Sequence, residues 1–186
     1  MASAWRSRVA ALAIACALGA AGAGPAAAEV LMTQKEALAW AFPDADRVEA
    51  ESFVLTDDQA RRVEALARAK LDSKLVRWFT AVKDGRVVGY AFIDQHTVRT
   101  LPEAFMVVLD PDGSVRQLRV LAFYEPPEYR PPDRWLAQFE GKTPEAPLRL
   151  QRDVHGIAGS TLSSQAVTGG VRRALGLYQV LVRHGG

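Results

Sequence analysis

The sequence predicts one α+β domain in which antiparallel hairpins pack with N-terminal helices and a long C-terminal helix. Three observations carry that reading. Asp84-Gly85 separates two β-rich runs, and an Asp-Gly pair in that setting is the strongest short hairpin signal. A second turn, Asp110 to Gly113, repeats the pattern. Amphipathic helical stretches precede and follow these runs, with no internal repeat between them.

Element by element, Thr33 caps a short helix over Gln34 to Phe42, stopped by Pro43, with Leu38, Ala41 and Phe42 facing inward. An extended stretch runs from Val48 to Leu55. Thr56, Asp57 and Asp58 open a second helix through Lys70, with Ala60, Val63, Leu66 and Ala67 on its apolar face. Leu75 to Val82 and Arg86 to Ile93 form the first hairpin; Ala104 to Leu109 and Val115 to Leu121 form the second. Val115, Leu118 and Val120 break strict alternation, which predicts a bulge. The prolines at 126, 127, 131 and 132 pre-fix an ordered loop, followed by a short helix from Asp133 to Phe139. A last helix runs from about Leu162 to Arg183. Gly169, Gly170 and Gly176 lie inside it, each costing about 1 kcal/mol relative to Ala, a cost that marks close packing.

The 186 residues are 49% hydrophobic and 24% charged, the profile of a globular chain and not of a disordered or collagen-like one. The formal charge of +2 is too small for a nucleic-acid surface. One cysteine excludes a disulfide framework. His96, His155 and His184 lack ligand spacing, which argues against a metal site. The N-terminus supplies much of the hydrophobic fraction. Arg6 and Arg8 precede an uncharged Ala/Leu-rich run from Val9 to Gly24, and residues 25–28 end in the small residues a signal peptidase reads. Residues 1–28 are therefore expected to be a secretory signal, with an uncleaved anchor and lipidation at Cys16 as the alternatives. Cleavage after Ala28 leaves residues 29–186 as one domain, with 21 basic and 21 acidic side chains and no cysteine, suited to an oxidising periplasm.

The segment with chemical character runs from Asp153 through His155, Gly156, Ala158, Gly159, Ser160, Thr161, Leu162, Ser163 and Ser164 to Thr168. Glycines and small residues precede a hydroxyl cluster that opens a long helix. Such a helix start leaves N–H groups unpaired and carries partial positive charge, so it binds phosphate readily. The plainer reading is that Ser160 or Thr161 only caps the helix.

This run resembles the flavinylation motif of FMN-binding domains, best known from the FMN-carrying periplasmic subunits of the Rnf and sodium-translocating quinone reductase complexes. Ala158, Gly159, Ser160 and Thr161 occupy the positions of that family's Ser-Gly-Ala-Thr core, and Leu162, Ser163 and Ser164 continue it. The hairpin from Val107 to Val120, then Glu125 and Phe139 to Lys142, resemble the segments upstream, so the likeness spans about Phe105 to Leu181. His155 stands where the family usually has Asp, with Asp153 two residues earlier, and Ala158 and Ser160 depart from the usual Ser and Ala. The resemblance implies FMN joined to Thr161 through a phosphoester by a separate flavin transferase, with the acidic position serving transferase recognition.

An isoalloxazine ring on Thr161 needs an aromatic shelf, for which Tyr129 and Trp135 lead Trp78 and Tyr124, while Arg130 and Arg134 are candidates to neutralise a reduced ring. His96 is read as a histidine in a polar loop hydrogen-bonded to backbone, with a flavin or partner contact as the alternative. The function expected is a periplasmic electron carrier serving membrane-associated redox partner proteins. The alternatives are a cofactor-less binding or accessory domain and a small-molecule flavin reductase.

Overall fold

The computed structural model describes residues 29–98 and 101–183; the expected signal, residues 1–28, lies outside them. Six strands form one antiparallel sheet: β1 (Glu29–Val30), β2 (Arg47–Val54), β3 (Leu75–Lys83), β4 (Arg86–Val98), β5 (Leu101–Leu109) and β6 (Val115–Phe123). Their order in space is β1-β6-β5-β4-β3-β2. From β2 to β6 each strand pairs with its neighbour in sequence, so the sheet is a meander closed at one edge by β1.

Local chemistry explains where the elements begin and end. Helix α1 (Gln34–Ala41) and helix α2 (Asp57–Ala67) each open on a capping box, Thr33 with Glu36 and Thr56 with Gln59. Helix α2 stops at Ala67, three residues before the expected Lys70, because Arg68 turns left-handed at φ 50°. In the β3–β4 turn both Asp84 (φ 50°) and Gly85 (φ 71°) have positive φ, the geometry that favours Asp-Gly in a two-residue hairpin. The expected irregularity in the second hairpin is present as register shifts at Ala104/Phe105 and Val108/Leu109.

One expectation is corrected by the sheet. Residues 94–98, read as a polar loop, continue β4 and pair along β5, with Asp94 opposite Phe105 and His96 opposite Glu103. The two expected hairpins are thus joined by a third. Polar residues at alternate positions looked like a loop because the face they occupy is buried under a helix and not exposed to solvent.

The sheet is covered on both faces. On one lie Ala37 and Ala41 of α1 and Phe42 just after it, against Phe79, Ala81, Ala91, Met106, Val108 and Leu121. On the other, Trp78, Phe92, Phe105, Val107, Leu109 and Phe123 pack against α2, the short helix α3 (Asp133–Leu136) and the long helix α4 (Thr161–Tyr178). A wider helical turn, Gln179–Arg183, extends α4. Among the described residues, no helix is long and apolar enough to cross a membrane.

Two of the three glycines in α4 explain themselves. A Cβ on Gly176 would lie 3.2 Å from the Val63 carbonyl oxygen, so this glycine lets α4 lie close on α2. A Cβ on Gly170 would meet the Phe105 ring and come within 2.8 Å of Asp94 Oδ2. Gly169 meets only the flexible end of Arg173, and nothing in the packing requires a glycine there. Gly170→Ala gains about 1 kcal/mol in helix propensity. It forces the fully buried Phe105 ring aside, and overpacking of that kind costs about 1–3 kcal/mol. A lower urea midpoint is the expected net result.

These contacts also orient α4. Tyr178 stacks edge-on against Tyr90 with ring centroids 5.7 Å apart, and Gly170 sits on Asp94 and Phe105. Eight helical residues at about 1.5 Å and four strand residues at about 3.3 Å cover nearly the same distance, so α4 runs antiparallel to β4. Continuing from Gly170 toward Thr161 therefore leads in the direction that β4 takes from Asp94 to His96.

Candidate functional site

The loop before α4 is held from below. The His155 backbone is gripped on both sides: its N–H donates to Gln138 Oε1 at 2.7 Å and its carbonyl accepts from Trp135 Nε1 at 2.7 Å. Gln138 Nε2 in turn donates to the Trp135 carbonyl at 2.9 Å. Trp135 is buried, edge-on to Phe139 at 5.3 Å, so this indole forms the floor of the loop. The His155 side chain points outward and is exposed.

Nearer the helix, Ser164 acts as a staple. Its hydroxyl accepts from the Ile157 N–H at 3.0 Å and donates to the Ser160 carbonyl at 2.9 Å. Thr168 Oγ1 repeats the motif one turn later, donating to the Ser164 carbonyl at 2.6 Å. The Asp153 carboxylate accepts three hydrogen bonds from Arg149, from its backbone N–H at 2.8 Å, its Nε at 3.0 Å and its Nη2 at 3.5 Å. These bonds to Arg149 hold the Asp153 carboxyl below the usual carboxylate range.

Gly159 then turns left-handed at φ 80°, with open space where a Cβ would stand. Ser160 occupies the N-cap position but makes no capping bond, and its buried Oγ has no partner. Capping is therefore not what Ser160 does. The first turn of an eighteen-residue helix is left with its N–H groups uncapped by the side chain placed to do so. Thr161 is the first helical residue and is exposed, as are Ala158, Gly159 and Leu162, whereas Ser163 and Ser164 are buried.

The aromatic candidates are scattered. Trp78 belongs to the core, 2% exposed. Tyr129 is half-buried against the core, and Tyr124 lines a cavity of about 330 Å³ whose wall includes Gln95, His96, Pro102 and Glu103. Arg134 is exposed. Arg130 borders another cavity, of about 420 Å³, with Arg119, Pro131, Pro132 and Asp133.

A second constellation, absent from the sequence reading, lies between the sheet and α4. Asp94 receives a fork from Arg173, Nε to Oδ1 at 2.8 Å and Nη2 to Oδ2 at 2.7 Å, and contacts His96 Nδ1 at 2.8 Å. Glu103 Oε2 lies 3.5 Å from His96 Nε2. Burial opposes the charge on Asp94, but hydrogen bonds from His96 and Arg173 prevail and hold its carboxyl below the usual range. Burial likewise opposes the charge on His96, yet the Asp94 and Glu103 carboxylates push its pKa up to about 9. The alternation of Asp94 with His96 at a spacing of two was the available signal, visible only once the segment is recognised as strand.

The raised pKa makes stability depend on pH. A histidine whose pKa rises on folding contributes fully below its unfolded value, near 6.5, and its contribution is lost as pH climbs through about 9. Urea unfolding of the cofactor-free protein is expected to show stability falling between those limits, and a His96→Gln variant to lack that fall.

The fold and site together define a domain that presents an exposed hydroxyl at a helix start without a side-chain cap, on a loop held by Trp135, Gln138 and Ser164. The family model described as FMN-binding domain matches residues 102–176, which span β5, β6, α3, the loop and most of α4. That stretch of the chain belongs to the FMN-binding domain family, and FMN is the cofactor the family binds. No curated protein matches the chain.

The geometry fits the cofactor. An uncapped helix start and a buried, unpartnered Ser160 Oγ suit a phosphate group, and the left-handed Gly159 clears space for its approach.

Proposed function

We propose that the domain is a periplasmic electron carrier whose FMN is joined through a phosphoester to Thr161 by a separate flavin transferase. In this reading it exchanges electrons with membrane-associated redox partner proteins. One observation carries the proposal: an exposed threonine hydroxyl stands on the first residue of a long helix whose N-cap side chain leaves the turn uncapped.

Bound flavin supplies the one- and two-electron chemistry. The chain's own residues anchor and orient. Thr161 Oγ1 is the ester oxygen, and the N–H groups of the first turn of α4 face the phosphate charge, which the helix dipole also favours. Ser160 Oγ is the hydroxyl donor beside it. Ser164, Gln138 and Trp135 fix the loop, so that the anchor is preorganised before anything binds.

Mass spectrometry of the protein produced alongside a flavin transferase tests the reading. The expected result is a Thr161 peptide heavier by one esterified FMN, on a yellow protein. An unmodified peptide on a yellow protein overturns the covalent bond and leaves FMN held non-covalently. A colourless protein supports a cofactor-less binding domain instead. Turnover of a small molecule with a reduced dye and no partner protein would make the domain a reductase.

A further inference from the structure

Buried polar side-chain atoms almost always find partners. Among the described residues, five of the buried atoms that do not are His96 Nε2, Glu103 Oε1 and Oε2, Glu125 Oε1 and Ser160 Oγ. The first four of these atoms belong to adjacent strands or the residues just beyond them. His96 and Glu103 face each other across β4 and β5, Glu103 is paired with Phe123 of β6, and Glu125 follows two residues later. Ser160 heads α4, the helix whose Gly170 and Arg173 contact Asp94. Little of the strip meets solvent: the His96 side chain is 9% exposed and that of Glu103 is 0%, although both border the cavity that Tyr124 lines.

Charge in the strip is balanced by one proton. Arg173 from α4 and protonated His96 from β4 offset Asp94 from β4 and Glu103 from β5. Glu125 stands beyond β6, and Asp72 and Arg77 border a cleft beside Asp94 and Arg173. His96 Nδ1 is engaged by Asp94, so Nε2 is the nitrogen that gains or loses the proton. Without that proton the four-residue cluster carries one net negative charge beneath α4, in an interior where charges are weakly screened.

We infer that His96 is a redox-linked cation: by holding the buried cluster neutral, it lets the domain accept the negative charge that electron uptake places on a flavin at the start of α4. The inference rests on the functional reading above. Electrons come from an external donor, which is oxidised. Where His96 titrates, the accompanying proton comes from solvent, forms the N–H bond at Nε2, and returns to solvent when the electrons leave. Coupling of this kind is reciprocal: if the proton favours reduction, reduction tightens the proton. His96 is a positioning residue for charge and not a group that contacts the ring.

The test uses flavin-loaded protein. The His96 ring is followed by NMR across pH in the oxidised and the dithionite-reduced states, with His96→Gln assigning the signal among the three histidines. Reduction is expected to tighten the proton by about fivefold or more, the lower end of ordinary coupling between sites. Midpoint potentials at neutral pH give the second readout: His96→Gln is expected to lower the potential and Glu103→Gln to raise it. A residue with only a structural role produces no such opposite signs. Coincident titrations in the two states, or both variants shifting the potential in one direction, overturn the inference while the carrier reading stands. If His96→Gln does not fold, the wild-type titrations and Glu103→Gln decide. Protein that carries no flavin under these conditions overturns the carrier reading and this inference with it.

Discussion

Thr161→Ala is expected to abolish attached flavin: protein from transferase-containing cells loses its in-gel fluorescence and the mass increment on the 161 peptide. The loss should be complete, because the ester oxygen itself is removed. Stability should hold, since Thr161 is exposed and substitutions at such surface positions usually fall within about 0.5 kcal/mol. Thr161→Ser keeps a hydroxyl on the same helical residue and is expected to retain flavin. Fluorescence that survives Thr161→Ala would place the attachment on another residue.

Asp94→Ala should give a large loss of stability, about 3–5 kcal/mol, because it strands Arg173 and protonated His96 beside Glu103 in a water-poor interior. That is a large share of the roughly 5–15 kcal/mol that holds an ordinary domain together. Asp58→Ala provides the contrast. It breaks the Arg61–Asp58 pair, 3.4 Å apart with both side chains 70% exposed, and is expected to cost less than about 1 kcal/mol. Urea denaturation of the two variants separates these outcomes. Equal midpoints would mean that the buried cluster contributes no more than a surface pair.

How far the chain could be read from its residues depended on whether a signal was local. The capping residues Thr33 and Thr56, the Asp84-Gly85 turn and the hydroxyl-rich opening of α4 are each specified within a few positions, and each lies where the sequence places it. The exposed Thr161 and the left-handed Gly159 were legible for the same reason. What escaped depends on partners far away in the chain. Asp94, His96 and Glu103 look solvent-facing until Arg173, 79 positions from Asp94, closes over them. The edge strand β1 is only two residues long and is defined by its pairing with Ala122 and Phe123. The grip of Gln138 on His155 likewise joins residues 17 positions apart, with no periodic pattern to announce it.

The order of the chain has a kinetic consequence for how the anchor becomes available. Strands β2 to β6 pair neighbour with neighbour, so the sheet can grow by closing short loops, the inexpensive steps of a folding reaction. Helix α4 comes after them in sequence, and it settles only when Gly170 meets Phe105 and Arg173 finds Asp94. Until then the turn that carries Thr161 has no fixed orientation. An enzyme that recognises this turn by shape thus meets its substrate only after the sheet has formed and the helix has docked. Under the proposed attachment at Thr161, cofactor loading would report on completed folding, and a chain arrested before α4 docks would stay unlabelled.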